Sequence, residues 1–216
     1  MESLYKVNLY SRTGMYALIK ILDFRAKTNE DIYNHTLKYF WYNWITPEDT
    51  ISIKIRGHSK YFDNMNFSAL KIKDAIVDSI RNKTGNRPNV DKVNPKYSLH
   101  LVIIEDRITL YLNSSGQSLS KRGYRDKIHK ASINEALAAG IILLSGWNYK
   151  TPFYDPMCGS GTFTLEAALM ARNIPAGYYR KSFAFKGWSQ FDNRLWNKIM
   201  SEARGKILHV RNHIYG

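Results

Sequence analysis

The segment from residue 152 to residue 172 constrains the fold of this chain more than any other. A short apolar run, Pro152-Phe153-Tyr154, leads into Asp155-Pro156-Met157-Cys158-Gly159-Ser160-Gly161-Thr162 and then into a helix-forming stretch, Phe163 to Arg172. The glycines allow a tight turn and a close approach of the backbone to a ligand. The start of the helix offers unpaired N–H groups and the positive end of a dipole. The order of strand, carboxylate, glycine loop and helix therefore predicts a nucleotide-type pocket.

The spacing within this loop excludes two common phosphate-binding motifs. A P-loop requires a Lys directly after its second glycine, whereas Thr162 follows Gly161. A dinucleotide-binding fingerprint requires a Gly or Ala three residues after that glycine, and Thr164 holds this place. A glycine loop by itself also occurs in strand-to-helix turns for steric reasons. The acidic residue ahead of the loop, Asp155, is what makes the whole string specific.

Length and composition predict one or two globular domains in a reducing compartment. The chain has 216 residues, of which 44% are hydrophobic, enough for a buried core. No apolar run reaches the ~18–20 residues of a transmembrane helix, and the first residues lack the pattern of a secretory signal. The single cysteine excludes an intramolecular disulfide and a cysteine-based zinc cluster. We expect a cytoplasmic protein without a bound metal.

The net charge of +14 predicts a polyanionic partner. Nucleic acid and an acidic membrane surface both satisfy this charge. No basic amphipathic helix with a clean apolar face stands out, so the pattern favours nucleic acid over a membrane. A basic composition that reflects only Lys- and Asn-rich usage remains the alternative.

The region from about Met15 to Asn113 reads as a small α+β unit, in which Met15 to Phe24 is apolar and β-prone. Thr28 can cap a helix that runs through Ile32, Thr36, Phe40 and Trp44. Alternation at Ile51-Ile53-Ile55 and at Leu99-Leu101-Ile103 predicts two half-buried strands, and the latter turns at residues 105–107 into a partner strand, residues 108–112. Between them lies a helix that contains Phe67, Leu70, Ile76, Val77 and Ile80 and stops at Gly85. Trp41, Trp44, Trp188 and Trp196 are predicted core residues.

A second region begins after a polar and basic linker, residues 114–131. Ser132-Ile133-Asn134-Glu135 fits a capping box in which Ser132 is the cap and Glu135 reaches back. The helix that it opens can end at Gly146, before the strand that leads to Asp155. Residues 132–216 thus read as helix, strand, glycine loop and helix, the opening of an α/β sheet.

Four strings resemble THUMP-domain RNA methyltransferases, in particular the bacterial enzymes that methylate the N2 amine of guanine in large-subunit ribosomal RNA. They are Asn8-Leu9-Tyr10-Ser11-Arg12-Thr13; Ala69 to Asp78 with Arg87-Pro88-Asn89-Val90-Asp91 after it; Ser115 to Arg125 (SGQSLSKRGYR); and Asp155 to Thr162 with Glu166-Ala167-Ala168. The last string is similar to motif I of class I S-adenosylmethionine-dependent methyltransferases. The strings extend along nearly the whole chain.

The resemblance implies a fold class and a division of the chain. The fold expected is an α+β THUMP-type RNA-binding domain followed by the start of an α/β Rossmann-like methyltransferase domain. Residues 1–27 would be the remnant of an N-terminal ferredoxin-like subdomain, 28–113 the THUMP-like domain, 114–131 the basic linker and 132–216 the methyltransferase part. His213-Ile214-Tyr215-Gly216 is similar to the second strand of the methyltransferase sheet.

The resemblance also implies S-adenosylmethionine as cofactor. Asp155 would contact the amino acid end of the cofactor through its ammonium or a water molecule, and Gly159 and Gly161 would let backbone amides approach it. The expected cofactor-binding residues are Asp155, Pro156, Cys158, Gly159, Ser160, Gly161, Thr162, Tyr124 and Glu135. Glu135 could instead serve only as a capping residue, and Cys158 is a small loop residue rather than a nucleophile.

RNA is the expected partner, held mainly through phosphate contacts by Lys and Arg. The candidates are Lys54, Arg56, Lys60, Lys71, Lys73, Arg87, Lys121, Arg122, Arg125 and Lys127. Each of them alone is more often a solvated surface residue than a contact, and the group is more indicative than its members. Tyr61, Phe62 and Tyr124 lie among these charges and could stack on unpaired bases, but packing is the favoured role for each of them.

No catalytic residue is predicted within this sequence. In the family an Asn-Pro-Pro-Tyr motif holds the target amine and lies further along the chain than Gly216. We therefore expect a truncated or divided protein, the RNA-binding and partial cofactor-binding portion of a 23S rRNA guanine-N2 methyltransferase, inactive by itself. The alternatives are an RNA-binding fragment without catalytic activity and a tRNA guanine-N2 methyltransferase.

Overall fold

The computed structural model describes residues 1–125, 132–209 and 213–216. The chain forms two compact units. One comprises Leu18–Asn113 with Gly187–Ser189, and the other Met1–Ala17, Ser114–Lys186 and Gln190–Gly216. We call them the sheet unit and the loop unit, after the five-stranded sheet and the glycine loop that they contain.

A mixed five-stranded sheet organises the sheet unit, with the strand order β1-β5-β4-β2-β3. Its strands are β1 (Leu18–Arg25), β2 (Thr50–His58), β3 (Asn89–Val90), β4 (Tyr97–Ile104) and β5 (Arg107–Asn113). Parallel pairing joins β2 to both β3 and β4, and antiparallel pairing joins β4 to β5 and β5 to β1. The parallel pair β2–β4 requires a crossover, which a helix provides.

That crossover helix, α3 (Met65–Thr84), packs against β2 and against α2 (Asn29–Leu37). Ile72, Ile76 and Ile80 of α3 are buried, as are Leu99 and Leu101 of β4. The alternation that predicted the strands therefore places their apolar residues under the helices. Gly85 ends α3 in the left-handed conformation with φ 81°, as its position predicted.

Two segments differ from the sequence-based expectation. Thr28 does cap α2 by accepting from the Asp31 N–H, but the helix ends at Leu37 and a 3₁₀ turn, Trp41–Asn43, follows. Phe40, expected on the helix face, is consequently exposed. Strand β1 (Leu18–Arg25) pairs along its whole length with β5 and therefore belongs to the sheet unit. The predicted domain boundary after residue 27 would instead place this strand in the N-terminal segment.

The loop unit contains four helices and a short parallel strand pair among its described residues. They are α1 (Glu2–Tyr10), α4 (Glu135–Leu144), β6 (Phe153–Tyr154), α5 (Thr162–Ala171), α6 (Asn193–Gly205) and β7 (Ile214–Tyr215), with a 3₁₀ turn at Ala184–Gly187. Helices α4 and α5 share a core of Ala139, Ile142, Ala167 and Met170. A second core is aromatic, with Tyr5, Phe183, Phe185 and Trp196 in mutual ring contact.

The predicted capping box at the start of α4 is wrong. The cap is Asn134, whose side-chain oxygen accepts from the N–H groups of Ala136 and Leu137. Helix α4 therefore begins at Glu135, and Ser132 lies outside it with its hydroxyl 2.8 Å from that of Ser160. Glu135 is freed from the reach-back role because it occupies the first position of the helix rather than the third.

Candidate functional site

The glycine loop connects β6 to α5 at the carboxyl end of the parallel pair. Residues Phe153 and Tyr154 of β6 pair with Ile214 and Tyr215 of β7, and the Asp155 N–H continues the ladder by donating to the Tyr215 carbonyl at 2.9 Å. The predicted strand at residues 213–216 is thus present beside β6. In open α/β sheets, ligands bind outside the carboxyl ends of parallel strands.

Glycine is required in this loop by backbone conformation. Gly159 and Gly161 have φ of 52° and 73°, and Gly161 is the residue from which α5 begins. Among the described residues, a Cβ at Gly159 would meet only one atom within 4 Å, the Met157 carbonyl oxygen at 3.9 Å, so the loop is open there. The loop therefore presents backbone rather than side chain to a ligand, and the first-turn N–H groups of α5 have no partner within the helix.

Asp155 has one carboxylate oxygen engaged and one that is not. Its Oδ1 accepts from the Met157 N–H at 3.3 Å. Its Oδ2 is buried and lacks a hydrogen-bond partner within the described part of the chain. A buried carboxylate oxygen is stabilised by a donor, so the position suits an ammonium group or a hydroxyl of a ligand.

A buried ion pair connects the segment 119–125 to α5. Arg122 and Glu166 have side chains 1% and 0% exposed, and Arg122 Nε donates to Glu166 Oε1 at 3.2 Å. The guanidinium also donates to the carbonyls of Leu119 at 2.9 Å, Ser11 at 3.3 Å and Arg12. These contacts satisfy a charge that burial would otherwise penalise strongly.

Tyr124 reaches the same carboxylate, with its hydroxyl donating to Glu166 Oε1 at 2.9 Å. Burial, together with the charge of Glu166, raises the pKa of Tyr124 well above its usual range. Between these two residues the backbone must turn at Gly123, where φ is 91° and a Cβ would lie 2.3 Å from the Tyr179 carbonyl oxygen. The sequence Arg122-Gly123-Tyr124 thus fixes two side chains on one carboxylate.

Arg125 contacts the glycine loop directly. Its Nη2 donates to the Ser160 carbonyl at 2.8 Å and to Thr162 Oγ1 at 2.9 Å. Its Nη1 lies 3.7 Å from Glu135 Oε1, and the side chains of Arg125 and Glu135 are 11% and 12% exposed. The structure therefore brings Arg125 and Glu135 together with the loop residues Ser160 and Thr162.

A cavity of about 400 Å³ opens beside this segment. Its lining is mainly basic and polar: Gln117, Lys121, Arg122, Gly123, Tyr124, Arg125, Glu135, Arg180, Lys181 and Ser182. Arg180 holds the segment in place by donating to the carbonyls of Ser115, Gln117, Ser118 and Lys121. Burial, and then the charge of Arg122, lowers the pKa of Arg180 to about 10.

In the sheet unit, Lys54 and Arg56 lie on the sheet face opposite to the buried Ile51 and the half-buried Ile53 and Ile55. Both are exposed, and the register places Lys54 beside His100 of β4. Partial burial, followed by the charges of Lys54 and Arg56, lowers the pKa of His100 to about 4. His100 is therefore neutral at physiological pH, mainly because it is partly buried and secondarily because two cations lie near it.

The other predicted basic contacts of the sheet unit are divided among different places. Lys60 is exposed with its Nζ 5.4 Å from the centre of the Tyr61 ring. Lys71 and Lys73 lie on α3, half-buried, and Lys73 pairs with Asp74 at 2.7 Å. Arg87 is exposed and lines a cavity of about 260 Å³ with Lys73. Phe62, a candidate for base stacking, is buried, so it has the packing role that was favoured for it.

Two models of known protein families match this chain. A model described as a THUMP domain matches residues 26–113, and a model described as an RMKL-like methyltransferase domain matches residues 122–216. The chain therefore contains a THUMP domain followed by an RMKL-like methyltransferase domain. The resemblance and the fold class predicted from the sequence are thereby confirmed.

The curated relatives that match the chain are longer than it is. It is 39% identical over 207 residues to the ribosomal RNA large subunit methyltransferase K/L of Pseudomonas syringae pv. tomato, covering 94% of the chain and 28% of that protein. It is 36% identical over 201 residues to slr0064 of Synechocystis sp., covering 93% of the chain and 52% of that protein. The chain thus spans between about a quarter and a half of the length of these relatives.

Solved structures share the fold of both units. A protein of Listeria monocytogenes, described as a predicted N6-adenine-specific DNA methylase, has a TM-score of 0.89 at 27% identity, covering 99% of the chain and 56% of that protein. SMU.472, whose crystal structure is a complex with SAH, has a TM-score of 0.84 at 30% identity, covering 96% and 55%.

Within the described residues, the predicted RNA contacts Lys121, Arg122 and Arg125 do not form a single surface. Lys121 is exposed, as an RNA contact requires. Arg122 was predicted as a contact, but its buried guanidinium is used entirely within the loop unit, so this assignment is corrected. Arg125, also predicted as an RNA contact, is instead directed at the glycine loop. Lys127 lies outside the described residues.

Sequence reasoning missed the roles of Glu166, Arg180 and Asn134. Glu166 was quoted only as part of the string Glu166-Ala167-Ala168, although a carboxylate in an otherwise apolar helix signals a buried partner. Arg180 carried no local signal, because its acceptors are carbonyls about 60 residues earlier.

None of the described helices is both long enough and apolar enough to cross a membrane.

Proposed function

We propose that this chain is the RNA-recognition part and the beginning of the cofactor site of an S-adenosylmethionine-dependent methyltransferase. The glycine loop is the observation that supports a cofactor site. Its open space at Gly159 and the unengaged Oδ2 of Asp155 fit the amino acid end of the cofactor. The complex of SMU.472 with SAH supports the same choice of ligand.

The cofactor would supply a methyl group on a sulfonium, which an amine displaces in line. The residues of this chain would bind and orient it. Asp155 would accept from the ammonium, the backbone around Gly159 and Gly161 would lie close to it, and Thr162 would start the helix whose N–H groups face it. Pro156, Cys158, Ser160, Tyr124 and Glu135 complete the proposed set.

RNA is the proposed acceptor, with a guanine N2 amine of 23S rRNA as the target. The THUMP domain, the charge of +14 and the rRNA methyltransferase relatives support this class of substrate. Lys54 and Arg56 are the proposed primary phosphate contacts of the sheet unit, since they share one exposed face. Lys60, Lys71, Lys73, Arg87, Lys121 and Lys127 remain proposed contacts.

A gene deletion in the source organism tests the substrate. Nucleosides from 23S rRNA, tRNA and genomic DNA would be quantified by mass spectrometry. Loss of N2-methylguanosine from 23S rRNA alone supports the proposal. Loss from tRNA would identify the tRNA enzyme, loss of N6-methyladenine from DNA would match the description of the Listeria neighbour, and no loss would refute the methyltransferase assignment.

Complementation of the deletion strain separates an enzyme from an RNA-binding fragment. We expect these 216 residues by themselves not to restore methylation, because no catalytic residue is assigned to them. Restoration by this chain would show that it carries a complete catalytic centre and would contradict that expectation.

RNA binding by the chain is testable without catalysis. Lys54→Gln/Arg56→Gln should weaken binding to a 23S rRNA fragment and reduce the slope of log K against log salt by about 0.7 for each lost phosphate contact. Lys38→Gln/Lys92→Gln is the charge-matched control, since both residues are exposed in the same unit. Equal losses of RNA affinity in the two double variants would show that only net charge matters and would contradict a specific contact by Lys54 and Arg56.

A further inference from the structure

The sheet face that bears Lys54 and Arg56 also carries two rings. The strand register aligns four residues across this face, one from each of β2, β4, β5 and β1: Lys54, His100, Tyr111 and Lys20. Residues opposite one another in register point to the same face, and neighbouring strands lie about 4.8 Å apart. A cation, an imidazole, a phenol ring and a second cation therefore lie side by side. We call these four residues the Tyr111 row.

The two rings of the Tyr111 row lie on inner strands of the sheet. Strands β4 and β5 each have a neighbour on both sides, and His100 and Tyr111 are both half-buried. The pKa of His100, about 4, keeps its imidazole uncharged near neutral pH. Both rings are thus uncharged aromatic surfaces that are supported by the sheet and partly open to solvent. Unpaired nucleic acid bases stack on surfaces of this kind.

Carboxylates divide the charge of this face into two halves. A bulge between Lys20 and Leu22 brings Asp23 to the same face as Lys20, where its Oδ2 lies 3.1 Å from Lys20 Nζ and 2.7 Å from Arg107 Nη2. The cations at the β1 side are therefore largely neutralised.

The β2 side of the face remains positive. Lys54 and Arg56 are exposed, and neither forms an ion pair with a carboxylate in the part of the chain that the structure describes. Because they are two residues apart on one strand, they form a short line of positive charge along β2. This line runs beside the rings of β4 and β5.

We propose that this face binds a single-stranded segment of RNA, with phosphates along Lys54 and Arg56 and unpaired bases stacked on Tyr111 and His100. The proposal rests on the proposed RNA partner and goes further by naming the form of RNA that the sheet unit takes. In a duplex the bases are stacked on one another and their faces are covered. A duplex therefore reaches the cations but not the rings, whereas an unpaired segment reaches both.

Fluorescence anisotropy with the full chain tests the stacking. The probes are an unstructured single-stranded RNA of about 12 nucleotides, an abasic version that keeps every phosphate, and the intact strand annealed to its complement. Each is titrated with the unmodified chain, Tyr111→Leu and Tyr111→Phe. Tyr42→Leu is the matched control, because Tyr42 is a half-buried tyrosine of the same unit that lies outside the sheet.

Tyr111→Leu should weaken binding of the intact single strand by roughly five- to 100-fold, the range for one lost stacking contact. It should leave the affinities for the abasic strand and the duplex unchanged, because those probes offer no free base. Tyr111→Phe keeps the ring and, like Tyr42→Leu, should bind the intact strand as the unmodified chain does. Lys54→Gln/Arg56→Gln should weaken binding of all three probes.

A photochemical crosslink tests the same contact on the unmodified chain, so it decides the question if thermal melting shows Tyr111→Leu to be unfolded. 5-Iodouridine in the single strand couples on irradiation to an aromatic ring that lies against it. Peptide mapping should find the adducts on Tyr111 and His100.

Three results would overturn the stacking while leaving the phosphate contacts in place. They are an unchanged affinity of folded Tyr111→Leu for the intact strand, equal losses for the intact and abasic strands, and adducts confined to peptides outside β4 and β5. Failure of the unmodified chain to bind any of the three probes would instead refute the proposed RNA partner, and this inference with it.

Discussion

Replacing Arg122 by alanine should destabilise the loop unit severely. The guanidinium is 1% exposed, it pairs with a carboxylate that is 0% exposed, and it donates to three backbone carbonyls. Its removal would leave Glu166 buried with only the Tyr124 hydroxyl as donor from this cluster. Breaking a buried pair on one side typically costs about 3–5 kcal/mol. Because whole domains are stable by only about 5–15 kcal/mol, the expected loss is a large share of the total.

Urea unfolding followed by hydrogen exchange measures this loss in the right place. With a slope of about 2 kcal/mol per molar urea, the midpoint of the loop unit should fall by roughly 1.5–2.5 M. Protection of the α5 amides should fall in parallel, while amides of β4 and β5 in the sheet unit should keep theirs. Lys121→Ala is the matched control, since the neighbouring cation is exposed.

The reasoning fails if Arg122→Ala and Lys121→Ala lower the midpoint by similar small amounts. That result would mean that Glu166 finds water or another donor when Arg122 is removed. A second variant, Glu166→Gln, keeps an acceptor for Arg122 but removes the charge. It should cost less than Arg122→Ala, because the remaining guanidinium still donates to the carbonyls of Leu119, Ser11 and Arg12.

Three further predictions follow from single contacts. Asn134→Ala should remove the α4 cap and lower the free energy of unfolding by about 1 kcal/mol, measured by urea unfolding. The pKa of His100, about 4, is below the usual 6.5, so its contribution to stability is complete above about pH 6.5 and is lost as the pH falls towards 4. NMR titration of Lys54→Gln should show a raised His100 pKa. An unchanged pKa would show that Lys54 does not contribute to the shift. Gly123→Ala should lower the free energy of unfolding by more than about 1 kcal/mol, whereas Gly205→Ala, whose Cβ would meet no described atom within 4 Å, should not.

The elements of the sheet unit were predictable because local signals determine them. Thr28 and Gly85 mark a helix start and a helix end through backbone chemistry that requires no tertiary partner. The alternation in β2 and β4 reports which side of each strand is buried. The end of α2 at Leu37 was not predictable in this way, since Phe40 and Trp44 continue the apolar spacing after the helix has stopped.

Pairing partners carried no comparable signal. Strand β3 is an edge strand of two residues that pairs with β2, and it is too short to show an alternation of apolar and polar residues. Strand β1 joins the sheet through β5, about 85 residues later, and only this pairing assigns it to the sheet unit. The candidate site shows the same division, because the glycine loop and Glu166 lie close together in the sequence, whereas Arg122 and Arg125 reach them from an earlier segment of the chain.

The string Lys121-Arg122-Gly123-Tyr124-Arg125 shows why charge in a sequence does not by itself locate an RNA surface. Its three cations have three environments. Lys121 is exposed, Arg122 is buried and paired with Glu166 of α5, and Arg125 donates to the glycine loop. A loss of RNA affinity after changing Arg122 or Arg125 would therefore report damage to the fold or to the loop as readily as a lost phosphate contact. Of the three, only Lys121 can be neutralised with the rest of the loop unit left in place. The salt dependence of RNA binding in Lys121→Gln, at unchanged stability, is consequently the measurement that decides whether this segment touches RNA.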